Sequence, residues 1–157
     1  MCCIPKNTNI SASHGSSFIR SRKYMAPELA LSCPYDEKVD IFSFGIILWQ
    51  MLSGEAPFPT LSNDEYIQKV AQDGLRPSLE PVRSNHQHHS SSSSAPQASL
   101  RAVTELLERC WHANPTERPD AASIVRELSD IITSSSSPHR ACNLLPLLRK
   151  NFESLFK

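Results

Sequence analysis

The stretch Ile41-Phe42-Ser43-Phe44-Gly45-Ile46-Ile47-Leu48-Trp49-Gln50-Met51-Leu52 constrains the chain more than any other. Wound into an α-helix, its nine apolar side chains fall on every face, so the helix has to be surrounded by protein. Asp40 stands before it with a side chain suited to accepting from free amides at a helix start. Gly54 follows, suited to the left-handed position just past a helix end. The run is interrupted by Ser43, Gly45 and Gln50 and falls short of the ~18 apolar residues of a membrane span, so a membrane partner is not expected. It is the predicted central rod of a folded domain.

The other patterned stretches also have helical spacing. Ser62-x-x-Glu65 is a capping-box signature for a helix running to Gln72, with Gly74 ending it. Ser99 is the predicted cap of a helix striped by Leu100, Val103, Leu106, Leu107 and Cys110. Asp120 is the predicted cap of another, striped by Ile124, Val125, Leu128, Ile131 and Ile132. No segment alternates cleanly as a strand, so the fold class is mainly α. Residues 1–17 are polar and unpatterned, and are expected to be loop or disorder. Patterned sequence fills 18–133, apart from a Ser/His-rich segment at 83–98 expected to be a flexible insertion. Residues 134–157 form a serine-rich linker and a tail whose Leu144, Leu148, Phe152, Leu155 and Phe156 have amphipathic helical spacing.

The 157 residues suffice for one domain with a real core. Lys and Arg together number 16, as do Asp and Glu, so no general basic field exists for binding nucleic acid. Five scattered cysteines, an odd number, make no disulfide framework, and the N-terminus has no long apolar leader. The expected setting is reducing and intracellular, most simply the cytoplasm. His86, His88 and His89 lack neighbours that would fix a metal geometry, and Trp49 and Trp111 suit a core.

Three motifs are too specific for helix packing alone. They are Arg22-Lys23-Tyr24-Met25-Ala26-Pro27-Glu28, Asp40-Ile41-Phe42-Ser43-Phe44-Gly45, and Cys110-Trp111-His112-Ala113-Asn114-Pro115-Thr116-Glu117-Arg118-Pro119. In this order and at these separations, residues 20–133 or so resemble the C-terminal lobe of a eukaryotic protein kinase, most closely the tyrosine-kinase-like group. The resemblance implies a helical lobe in which Glu28 pairs with Arg118, tying the end of the activation segment to the far side. It implies that Asp40 both starts a helix and holds backbone amides of the catalytic loop. Ser21, Lys23 and Tyr24 would floor the substrate groove. Whole relatives would use ATP and Mg to phosphorylate protein Ser/Thr hydroxyls.

This chain departs from that pattern. Its glycines are Gly15, Gly45, Gly54 and Gly74, so it has no Gly-x-Gly-x-x-Gly; Val-Ala-Ile-Lys, His-Arg-Asp and Asp-Phe-Gly are also missing. Arg20-Ser21 stands where the family usually has Gly-Thr, and Gln50 where many relatives have Glu. No catalytic, cofactor-binding or metal residue is therefore expected, and no activity from the chain alone. A non-catalytic module docking on a kinase or substrate, or a truncated product, is the alternative. Without the preceding helix and catalytic loop of the family, the central helix is expected to be left partly bare. A full kinase or another protein is the expected partner covering it.

Overall fold

The computed structural model describes residues 22–87 and 95–134. A 3-10 turn (Arg22–Tyr24) leads into α1 (Pro27–Ala30) and the long α2 (Lys38–Ser53). Next, α3 (Asn63–Tyr66) continues as a π-helical stretch (Ile67–Gln72), followed by α4 (Glu80–Gln87) and α5 (Ala95–Cys110). A second 3-10 turn (Pro115–Glu117) precedes α6 (Ala121–Ser134). Among the described residues there is no strand, and no helix is long and apolar enough to cross a membrane. The predicted disordered residues 1–17 and the predicted tail helix lie outside the described residues.

The central position of α2 follows from its composition. Phe42, Ile46 and Leu52 are fully buried, and Ile41, Leu48 and Trp49 nearly so. Cover comes from Val103 and Leu107 of α5, Val82 of α4, and Tyr66 and Val70 beyond them. Trp49 Nε1 donates to the Ser78 carbonyl at 2.7 Å, which satisfies the buried indole without a water. Ile47, 43% exposed, is the one apolar side chain of α2 facing solvent, with Phe44 and Met51 half-buried. The central helix, expected to be partly bare, is so only at Ile47, Phe44 and Met51; the helices that follow it in the chain supply most of its cover.

Contact between α2 and α5 is close because Gly45 has no side chain. A Cβ built there would lie 2.8 Å from Cys110 Cβ. Around this crossing Ile41, Leu106, Cys110 and Ile124 form a smaller apolar cluster that joins α6 to the body. Val125, predicted on the buried stripe of α6, instead faces solvent at 64% exposure, beside the inward Ile124.

Helix ends show what the sequence settles locally and what it does not. The predicted capping box is present: Ser62 Oγ accepts from the Glu65 amide at 3.3 Å, and the Glu65 carboxylate accepts from the Ser62 amide at 3.0 Å. Asp120 Oδ1 accepts from the Ser123 amide at 2.7 Å and caps α6. Gly54 and Gly74 both have positive φ, 73° and 76°, at helix exits. Asp40, however, is not an N-cap. The α2 helix begins upstream at Lys38, whose amide donates to Asp36 Oδ1 at 3.0 Å, and Asp40 sits exposed in the first turn. Likewise α5 begins at Ala95, ahead of Ser99. Helix α4 reaches Gln87, so regular structure enters the expected insertion from both sides, and residues 88–94 lie outside the described residues.

Candidate functional site

Two short segments meet at the N-terminal end of α2. In the first, Pro27 opens α1 with its φ already fixed and places Glu28 in the first turn, pointing inward and buried. The second is the corner Asn114–Arg118. Asn114 Oδ1 accepts from the Thr116 amide at 3.2 Å, Pro115 starts the 3-10 turn, and the chain leaves extended at Arg118. The corner aims the Arg118 guanidinium back across the domain.

Arg118 and Glu28, 90 positions apart, meet as a two-pronged pair. Nη1 donates to Glu28 Oε1 at 2.6 Å and Nη2 to Oε2 at 2.9 Å. Their side chains are 0% and 5% exposed. Two further donors are also used: Nη1 donates to the Lys38 carbonyl at 2.8 Å and Nε to the His112 carbonyl at 2.9 Å. The rigid fork of Arg suits this better than a lysine's point charge, because one planar group serves three chain segments at once. Removing one partner of a pair this buried costs about 3–5 kcal/mol, since the other charge is stranded without water.

The node contains residues that motif reading missed. Lys38 Nζ donates to the Arg118 carbonyl at 2.8 Å and the Pro119 carbonyl at 3.2 Å, while Arg118 takes the carbonyl of Lys38. Arg76 donates through Nε to the Trp111 carbonyl at 2.8 Å and through Nη1 to the Val70 and Leu75 carbonyls. The guanidinium carbons of Arg76 and Arg118 lie 4.9 and 5.2 Å from the centroid of the Phe42 ring, so one aromatic serves two cations. Burial lowers the pKa of Arg76; the neighbouring Tyr66 and Glu28 oppose that shift, and Arg118 adds to it. No local spacing marks Lys38 or Arg76, since their partners are carbonyls set by the tertiary fold.

The turn Arg22–Tyr24 is held from behind. Ser43 Oγ donates to the Tyr24 carbonyl at 2.8 Å, and Tyr66 Oη donates to the Met25 carbonyl at 2.7 Å. The Tyr66 ring stands edge-on to Phe58, 5.5 Å between centroids, and burial raises its phenol pKa. Tyr24 Oη donates to Gln50 Oε1 at 2.7 Å, so this groove candidate is anchored to α2 through its hydroxyl. Lys23 and Arg22 are half-buried at the same turn; Ser21 lies outside the described residues. Of the candidates, then, Glu28 and Arg118 come together and Tyr24 joins Gln50. Asp40 remains apart from both groups, its carboxylate accepting no hydrogen bond from a described residue.

The protein kinase domain profile matches residues 6–128. The chain belongs to the protein kinase family. The match begins upstream of residue 20, where the motif resemblance starts. Similar proteins include the serine/threonine-protein kinase STY17 of Arabidopsis thaliana, 34% identical over 118 residues, covering 75% of this chain and 18% of that protein. The serine/threonine/tyrosine-protein kinase HT1 of the same plant is 34% identical over 106 residues, 68% of this chain and 23% of its own length. The dual specificity protein kinase shkA of Dictyostelium discoideum is 31% identical over 116 residues, 73% of this chain and 19% of that kinase. The chain therefore spans less than a quarter of these relatives, and its helical structure is that of a kinase C-terminal lobe.

Family membership implies ATP and magnesium, and the donor set of this chain can be tested against them. Among the described residues no three His, Cys, Asp or Glu side chains are grouped so as to hold a metal ion. Glu28 is taken by Arg118 and Asp120 by the Ser123 amide. The glycine-rich loop and Asp-Phe-Gly motifs do not occur in the sequence. These residues do not fit a nucleotide–magnesium site.

Proposed function

We propose that these residues form the substrate-side half of a protein kinase domain, a lobe that presents a docking turn and transfers no phosphate by itself. The observation that carries this reading is the Glu28–Arg118 fork, which fixes the chain just after the Arg22–Tyr24 turn to the far side of the domain. A rigid turn with no nucleotide bed beside it among the described residues suits binding rather than chemistry. Phosphorylation of protein hydroxyls belongs, on this reading, to an assembly that adds the missing catalytic parts. Among the described residues Cys33 and Cys110 form no disulfide, which suits a reducing intracellular compartment.

Calorimetric titration of the 157-residue chain with Mg-ATP tests the reading. The expected result is no measurable heat of binding. Micromolar affinity would overturn it.

A further inference from the structure

One face of α2 is less completely covered than the others. Asp40, Phe44, Ile47 and Met51 follow i, i+4, i+7 and i+11 spacing, so they form one row along the helix. Asp40 is exposed, Ile47 is 43% exposed, and Phe44 and Met51 are half-buried. Phe44 packs on both apolar clusters of the domain, but Ile47 belongs to neither. The row runs about 16 Å, from an acidic end to an apolar one.

The chain leaves α6 within reach of this row. Leu128 packs, like Phe44, against both clusters, and Ile131 is part of the larger one, so the last turns of α6 lie on the same body as α2. Beyond Ser134, the eight residues 135–142 reach about 27 Å when extended, enough to bring 143–157 back onto α2. Wound as a helix, 143–157 would set Leu144, Leu148, Phe152 and Leu155 along one face, again over about 16 Å. Charge matches as well. Residues 135–157 hold four basic side chains (Arg140, Arg149, Lys150, Lys157) and one acidic (Glu153), whereas 28–134 hold eight basic against fifteen acidic. Arg149 falls at the edge of the apolar stripe, where it can flank an acidic neighbour.

We propose that residues 143–157 dock as an amphipathic helix along this row of α2, with Leu148 and Phe152 against Ile47 and Arg149 beside Asp40. The occupant is the chain's own tail because a tether this short holds it at a high effective concentration, which a second copy or a separate partner has to exceed. The tail thereby closes the central helix from within the chain. Limited trypsin digestion of the full chain at Arg149 and Lys150, followed by mass spectrometry, provides the test. Cleavage at both sites should be about tenfold slower in the parent than in Ile47→Asp, which sets a charge against the apolar face of the tail.

Val125→Asp places the same charge on the exposed face of α6 and should leave the protection intact. Emission from the buried Trp49 and Trp111 should be unchanged in both variants. Asp40→Arg should speed cleavage at Lys150 about threefold, and adding Arg149→Glu should restore the parent's rate. If Ile47→Asp shifts the tryptophan emission, this charge exchange alone decides, and failure of the rescue would overturn the proposal. Rapid cleavage of the parent, or equal protection in the parent and a folded Ile47→Asp, would also overturn it. Protection that grows with chain concentration would assign the face to a second copy. Protection gained only with phosphatidylserine vesicles would assign the tail to a membrane surface. Either result would overturn docking within one chain.

Discussion

Two bidentate Arg–Glu pairs in this domain have the same chemistry and very different surroundings. Arg118 and Glu28 join segments 90 positions apart, with side chains 0% and 5% exposed. Arg109 and Glu127 join α5 to α6, 18 positions apart, at 46% and 36% exposure, with Nη1 donating to Oε1 at 3.0 Å and Nη2 to Oε2. In water the second pair competes with solvent and salt, and pairs of that kind contribute about 0–1 kcal/mol. The first has lost its hydration and cannot recover it without unfolding. Environment, rather than the fork geometry they share, decides which pair the fold depends on.

The sharpest way to break this contrast is Arg118→Met, which keeps the stem and strands Glu28. Urea unfolding should register a loss of about 3–5 kcal/mol, and a loss below about 1 would place the two pairs in one class. Next in size is Gly45→Ala, which touches no charge but sets a methyl against Cys110 Cβ. Because that neighbour is no flexible tip, the helices must separate, at about 1–3 kcal/mol by the same measurement. Arg109→Met should cost at most about 1 kcal/mol, and its effect should fade in high salt while that of Arg118→Met persists.

The smallest effect is the acid dependence of the exposed carboxylates. Hydrogen bonding to Ser62 and Lys69 holds Glu65 down to about 2, and the Arg109 hydrogen bond lowers Glu127. A folded-state pKa below the unfolded one stabilises above the unfolded value, near 4.3, and the gain is lost as pH falls through the folded pKa. The stability difference between the parent and Glu65→Gln should therefore be constant above about pH 5 and vanish on approaching pH 2, as followed by urea midpoints.

The legible parts of this fold were those carried by local chemistry. The Ser62 capping box, the Asp120 cap, the all-round apolar surface of α2 and the apolar stripe of α5 depend on neighbours within a few positions. Glu28 and Arg118 were legible for another reason, the motifs that contain them. The start of α2 was not: Asp36 and Asp40 are both good caps, and the choice falls upstream where Lys38 reaches carbonyls 80 positions away. Arg76 was invisible for the same reason. The cover of α2 was underestimated because Val82 belongs to a helix that runs into a segment whose serines and histidines signal flexibility.

Lys38 and Arg118 each hold the other's carbonyl, and this mutual grip couples their motions. Neither the corner at 115–119 nor the first turn of α2 can swing open alone, because release of one frees both side chains. The amides of the two stretches should accordingly exchange with deuterium at one shared rate, as a single hinge-less block beneath the docking turn.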